Sequence, residues 1–429
     1  MGYAMLSVYM PEHYDVIVIG GGTSGLMAAG TAANNGSKVL LLEKNAELGK
    51  KLKITGGGRC NITNATFDNR EFLSNFGPAA KFLHSPLSQF DVQATFDFFE
   101  ERDLPLVVQA RKRAFPHTEK AYDVFKVMEK YITHPNVTLL LSHPVLRMNM
   151  DTDNTQVLSV TTPNGDFTAD KYILCAGGAS HPETGSTGDG FGWLRKIGHT
   201  VKDPTPSIVP LRCPDKWIHD LSGTSLSFMK ITFFVENKGE KKKKAFSKTG
   251  KILFTHFGLS SPLILNCAHL VADLFYEGQV TATIDCYPDT DHGALEKNIL
   301  NIFDQNKNKS FKNIVKEITP RGLHKTLLDF NVVADPDTKV HSISKEERKA
   351  IVQLLKALPL KISGLMGMDR AVISDGGVPL TEVDTRTMKS RKINNLYMTG
   401  DILHINRPSG GYSFQLCWST GWVAGHLKD

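Results

Sequence analysis

A run of glycines between a buried strand and a helix constrains this chain more than any other feature. Residues 14–19, Tyr-Asp-Val-Ile-Val-Ile, form a mostly apolar, β-branched run of the kind that suits a strand covered on both faces of a parallel sheet. Gly20-Gly21-Gly22-Thr23-Ser24-Gly25 follows at once and fits G-x-G-x-x-G. An Ala-rich stretch over residues 26–35 reads as a helix that Gly36 ends, and residues 38–42 read as a second buried strand. Strand, helix and strand in this order form the unit that cradles a dinucleotide. Gly20 makes the tight turn out of the strand, Gly22 lets backbone approach a pyrophosphate, and Gly25 lets helix and strand pack closely. The helix N-terminus, with Thr23 and Ser24 in its first turn, offers unpaired N–H groups and partial positive charge to phosphate. Glu43 ends the second strand 18 positions after Gly25, where its carboxylate accepts hydrogen bonds from both ribose hydroxyls. The same carboxylate would repel a 2′-phosphate, so the expected nucleotide is FAD or NAD rather than NADP.

At 429 residues the chain is too long for one core, and two or three domains are expected. The formal charge of +6 is spread along the chain. The one dense run, Lys241-Lys242-Lys243-Lys244, falls between strand-like segments 231–236 and 252–257 and reads as a solvated hairpin tip, not a nucleic-acid surface. The six cysteines form no C-x-x-C pair, which fits reduced thiols in a cytoplasmic protein. No Cys or His spacing suggests a metal site. No stretch of about 18 apolar residues predicts a membrane span, and the first 13 residues lack the basic-then-apolar order of a signal peptide.

The character of the chain changes twice. Segments 137–141 and 171–175 look like further strands of the first domain, whereas residues 205–290 read as alternating strands with polar turns. Residues 291–357 are helical and charged, with Ser344-Lys345-Glu346-Glu347 as a helix start, and strands return at 371–374 and 396–399. The expected division is a dinucleotide-binding domain from 12–204 and 371–429, an inserted β domain from 205–290 and 358–370, and a helical subdomain from 291–357. Gly400-Asp401 follows the late strand. In FAD proteins of this architecture such a carboxylate binds the ribityl chain, so FAD is the favoured cofactor. Residues 408–415, Pro-Ser-Gly-Gly-Tyr-Ser-Phe-Gln, then lead into a C-terminal helix over residues 413–426, whose N-terminus is expected to point at the flavin ring.

A third element is the run of residues 50–61, Lys-Lys-Leu-Lys-Ile-Thr-Gly-Gly-Gly-Arg-Cys-Asn. Here the chain resembles the bacterial flavoproteins described as aminoacetone-oxidase-like or NAD(P)/FAD-dependent oxidoreductases, a group that includes reducers of unsaturated keto-steroid bile-acid intermediates. Residues 253–260, the segment Thr187-Gly188-Asp189-Gly190 and residues 410–415 carry the same resemblance, which therefore covers nearly the whole chain. It implies an α/β fold: a Rossmann-like two-dinucleotide-binding FAD domain, an inserted antiparallel β domain and a small helical subdomain. It also implies that Val145 holds the adenine through its backbone, that Ala176-Gly177-Gly178 turns beside the cofactor, and that Gly56, Gly57, Gly58, Arg59, Cys60 and Asn61 run along pyrophosphate and flavin. Lys44, Lys51, Thr55, Gly400, Gly411, Tyr412, Ser413 and Phe414 complete the expected cofactor contacts. The family pattern has Gly-Glu where this chain has Gly400-Asp401, which shortens the reach of the side chain.

A flavin performs the hydride chemistry itself, so no catalytic triad is required. His404, His256 and Tyr412 are the acid–base or cavity-lining candidates, with His181 weaker. Cys60 lacks a neighbouring cysteine and reads as a packed thiol rather than a redox centre. The favoured activity is reduction of a small organic substrate by FAD, with NAD(P)H as a transient electron donor. The alternatives are an amine oxidase using oxygen and a flavoprotein with a binding or RNA-modification role. The expected partner is a small-molecule substrate, with neither nucleic acid nor membrane.

Overall fold

The computed structural model describes residues 13–237 and 241–428. They fall into two compact units, one built from 13–206 and 372–428 and the other from Ser207–Ala371.

The first unit is organised by parallel strands. Strand β1 (His13–Ile19) leads through helix α1 (Thr23–Asn34) to β2 (Val39–Leu42). Helix α2 (Lys50–Gly58), β3 (Val137–Leu140), β4 (Gly165–Leu174), β5 (Leu396–Met398) and helix α3 (Tyr412–Gly425) follow along the chain. The parallel order is β3-β2-β1-β4-β5. Register is tight at the carboxyl ends: Ile19 lies opposite Leu42 and Leu174, Leu42 opposite Leu140, and Leu174 opposite Met398. Val16, Ile17, Val18 and all of β2 are buried, because helices cover both faces of a parallel sheet. This is why the sequence there is apolar without alternation. The first residues of β4 pair instead with the antiparallel strand Val157–Thr162.

Helix α3 packs backbone to backbone on α1. A Cβ at Gly421 would lie 2.5 Å from the carbonyl oxygen of Ser24, and one at Gly425 would lie 2.6 Å from that of Ala28. The buried amide of Gln415 fixes the helix: its oxygen accepts from Thr63 and Thr95, and its nitrogen donates to the Asp91 carbonyl.

The second unit carries a seven-stranded antiparallel sheet whose central strands are Ser225–Glu236, Lys243–Thr255 and Gln279–Asp285. The expected hairpin forms, but Lys243 and Lys244 belong to its second strand, opposite Val235 and Phe234. The reading of alternating strands through 205–290 misses a 16-residue helix, Pro262–Glu277. Ser261 caps it and Pro262 occupies its first turn, and Ile264, Cys267, Ala268, Val271 and Leu274 form its buried face. Helices His292–Gln305, Phe311–Ile318 and Lys345–Lys356 share a separate apolar core, and the last begins with the capping box of Ser344 and Glu347. No helix among the described residues is long and apolar enough to cross a membrane.

A buried Ser–His–Glu chain ties the first unit together. His199 Nδ1 lies 2.7 Å from Glu382, and its Nε2 lies 2.9 Å from Ser390 Oγ. Ser390 Oγ also accepts the backbone N–H groups of Lys392 and Ile393, so this hydroxyl anchors a turn and is no nucleophile. Burial lowers the pKa of His199, outweighing the Glu382 carboxylate beside it. Burial also pushes the Glu382 carboxyl upward, but bonds from Lys392, Thr200 and His199 outweigh it and hold the pKa at about 2. A carboxyl depressed in the folded state adds stability above its unfolded pKa and loses it as pH falls through the folded value. Unfolding stability should therefore drop from about pH 4.5 toward about pH 2, by up to roughly 3 kcal/mol from this group. Urea titrations of Glu382→Gln should show a flatter pH dependence in that window; a slope equal to wild type would contradict the assignment.

In the α1–α3 contact, Gly421→Ala should destabilise by about 1–3 kcal/mol through forced separation of the helices. An unchanged denaturation midpoint would contradict that packing.

Candidate functional site

Because the parallel strands end at one edge, the turns that follow them are gathered there. They line a cavity of about 1210 Å³, counting the open space at its mouth. Strand order sets the order along it. His143 and Val145 follow β3, Glu43 and Asn45 follow β2, Gly20 to Gly22 follow β1, Ala176 and Gly177 follow β4, and Asp401 follows β5. Ser413, Phe414 and Cys417 of α3 line it as well. In open α/β sheets, ligands bind outside the carboxyl ends of the strands.

The glycine turn shows why side chains are excluded. Gly20 has φ +108°, and a Cβ there would lie 2.5 Å from the Cys175 carbonyl oxygen. A Cβ at Gly25 would lie 1.8 Å from the Gly20 oxygen, so helix and strand could not close. Gly22 differs: a Cβ there would meet nothing within 4 Å, and the residue lines the cavity. Its open side is room for a ligand. Helix α1 has neither a side-chain cap nor an acidic residue in its first turn, so its leading N–H groups are available to an anion. Glu43 is buried yet lines the cavity. One oxygen accepts the Gly21 N–H and the other accepts both N–H groups of Asn45, each at 2.7 Å. These bonds orient the carboxylate. An open glycine, an uncapped helix start and an oriented carboxylate fit the pyrophosphate and ribose of FAD.

Lys44 and Asn45 draw a second segment to the cavity wall. Lys44 Nζ donates to Thr187 Oγ1 at 2.6 Å and to Asp189 at 2.7 Å, and Asn45 Nδ2 donates to the Thr184 carbonyl at 3.2 Å. Thr184, Gly185, Ser186, Asp189 and Trp193 line the wall that results.

The region beyond β4 is electrostatically different. Lys51 Nζ donates to the Ser180 carbonyl at 2.7 Å, and burial lowers its pKa. Burial raises the pKa of Asp401, but the charges of Arg407 and Lys51 outweigh it and keep the carboxyl below its ordinary value. Helix α3 starts after Gly411 at φ +103° with no side-chain cap. Its uncapped first turn meets the cavity through Ser413 and Phe414. The thiols of Cys175 and Cys417 are pushed up to about 12 by burial, which makes both inert.

The structure therefore brings together Gly20, Gly22, Thr23, Ser24, Glu43, Lys44, Lys51, Thr55, Val145, Ala176, Gly177, Asp401, Ser413 and Phe414. Gly25, Gly178, Gly400 and Gly411 adjoin this group as close-packing positions: added Cβ atoms would meet Gly20, Ser374, Ser24 and Thr63 respectively. The segment from Gly56 to Asn61 is not in the lining. Thr55 is extended, Gly56, Gly57 and Gly58 are left-handed, and the chain turns so that Arg59 lies over Phe115 and pairs with Glu119 at 2.8 Å. Cys60 is fully buried, and burial raises its pKa strongly.

The structure does not bring the three acid–base candidates into the lining. His404 lies 3.3 Å from Asp375 and 3.2 Å from Lys202. Tyr412 is buried against Phe72 and Phe76. His256 belongs to the second unit, exposed in the turn before Gly258–Ser260. His181, the weaker candidate, pairs with Glu183 at 2.8 Å.

Sequence reasoning missed Asn45, His143, Cys417 and Arg407. The first two stand just past strand ends, which the carboxyl-edge rule would have flagged. Cys417 is one helical turn after Ser413. Arg407 carried no signal, since its partners come from the fold.

Comparison with known proteins agrees with this geometry. The family described as HI0933-like protein Rossmann domain matches residues 14–427. The 3-dehydro-bile acid delta(4,6)-reductase of Clostridium scindens is 26% identical over 412 residues, covering 95% of this chain and 97% of its own. The ribosomal RNA dihydrouridine synthase of Escherichia coli is 26% identical over 421 residues, covering 96% and 97%. Among solved structures, the 3-ketosteroid-delta4-(5alpha)-dehydrogenase of Rhodococcus jostii RHA1 shares the fold, with TM-score 0.52, 15% identity and coverage of 98% of this chain and 99% of that one.

Replacing Glu43 with Ala should weaken FAD binding by about 1–3 kcal/mol, the worth of hydrogen bonds to a charged group. Titration of apo-protein with FAD reads this directly; an unchanged dissociation constant would remove Glu43 from the ribose site.

Proposed function

The chain belongs to the HI0933-like Rossmann-domain family and is an FAD-dependent oxidoreductase, and from that premise we propose that it reduces a carbon–carbon double bond conjugated to a carbonyl in a small organic substrate, with NAD(P)H as electron donor. The observation that carries this reading is the end-to-end match to a protein named as a bile-acid delta(4,6)-reductase. Bound FAD supplies hydride transfer. The chain supplies position and field. Gly22 and the start of α1 take the pyrophosphate, Glu43 the ribose, and Asp401 the ribityl chain. Lys51 and the start of α3 present positive charge to the flavin ring, which favours an acceptor that gains electrons. A cytoplasmic setting suits the six cysteines, all of them free.

A second reading comes from the equally similar ribosomal RNA dihydrouridine synthase. Its product name also denotes two hydrogens added across a double bond, but in a uridine of RNA. Both readings share the cofactor site and differ in the electron acceptor.

Anaerobic mixing separates the possibilities. NADH or NADPH should bleach the flavin absorbance, and an unsaturated ketone added afterwards should restore it. Bleaching by amines alone would contradict the reductase reading. Recovery with ribosomal RNA but with no unsaturated ketone would move the assignment to the second reading.

A further inference from the structure

Three charged side chains meet beyond β4, where burial makes charge costly. Lys51 and Asp401 line the cavity, and Arg407 does not. The Arg407 side chain is only 1% exposed, so its charge is present for what it touches rather than for solvent. Its guanidinium reaches two side chains and one backbone carbonyl. Nη2 bonds the Asp401 carboxylate, Nε donates to Ser413 Oγ at 2.9 Å, and Nη1 donates to the Ile405 carbonyl at 2.8 Å. It therefore joins the turn after β5 to the first turn of α3, from behind the cavity wall. The Arg fork suits this task because its donors are fixed in one plane.

Charge arithmetic gives the arrangement a consequence. With Arg407 bonded to it, the Asp401 carboxylate is offset, and the uncapped start of α3 adds partial positive charge beside the pair. We propose that Arg407 is a positioning residue that holds this part of the FAD site electropositive: it offsets Asp401 and ties Ser413 and the α3 N-terminus to the same carboxylate. The inference rests on the proposed FAD site. Reduction adds electrons to the bound group, so a net positive surrounding raises its potential. A guanidinium that merely ties two turns together would stabilise the fold without doing so.

The test is the two-electron reduction potential of bound FAD in wild type, Arg407→Met, Arg407→Lys and Asp401→Asn, measured against a reference dye with FAD content quantified. At a fixed potential the reduced-to-oxidised ratio should fall at least tenfold in Arg407→Met, a shift of about 30 mV for a two-electron couple. It should rise in Asp401→Asn, where the countercharge is gone, and Arg407→Lys should recover most of the loss. An FAD-loaded Arg407→Met with the wild-type ratio would overturn the proposal. If that variant does not fold, Asp401→Asn decides, and a ratio that fails to rise overturns it equally. Failure of wild type to bind FAD would defeat the functional reading itself, and it shows before any variant is made.

Discussion

The whole site depends on the parallel strands of the first unit ending in register at one edge. Parallel strands run in one direction, so their carboxyl ends and the turns that follow them lie along the same edge. The β1–β2 and β1–β4 registers, with Ile19 opposite both Leu42 and Leu174, put the Gly20 turn between the Glu43 and Cys175 turns. At that crossing backbone must pass backbone. A Cβ at Gly25 would come within 1.8 Å of the Gly20 oxygen, so the sequence has no freedom there. A slip in that register would scatter the carboxylate, the open glycine and the helix start that together fit a dinucleotide.

Electrostatics then divide the cavity. Helices α1 and α3 both begin at it without side-chain caps, so each presents unpaired N–H groups and partial positive charge. Near α1 the nearby carboxylate, Glu43, is spent on orienting bonds to Gly21 and Asn45. Near α3 the carboxylate of Asp401 is offset by the buried guanidinium of Arg407. The thiols close by are held protonated by burial, so they add no charge of their own. A site of this kind receives a polyanionic cofactor and favours its reduced state.

Much of this was legible in the sequence because local rules and the fold agree there. The β1–α1–β2 unit and Glu43 follow from the spacing of the glycine motif, whereas Asp401 and the helix after Gly411 follow from the architecture of FAD proteins. The resemblance to oxidoreductase flavoproteins agreed with the family found by comparison. What was not legible depended on contacts distant in sequence. Arg407 matters through Asp401 and Ser413, and Asp189 through Lys44. Tyr412 and His404 stood in promising segments, yet an aromatic cluster takes one and a contact with Asp375 and Lys202 takes the other. The helix Pro262–Glu277 does carry a helical period, with Ile264, Cys267, Ala268, Val271 and Leu274 on its buried face, and the alternating-strand reading of its surroundings passed over it.

The central claim is that the carboxyl edge of the parallel sheet holds one FAD, non-covalently. The direct measurement is the chromophore released when purified protein is denatured. The account predicts a yellow protein that releases about one FAD per chain, identified by its absorbance and by its mass. A colourless protein that releases no flavin and takes up none on titration with FAD would contradict it.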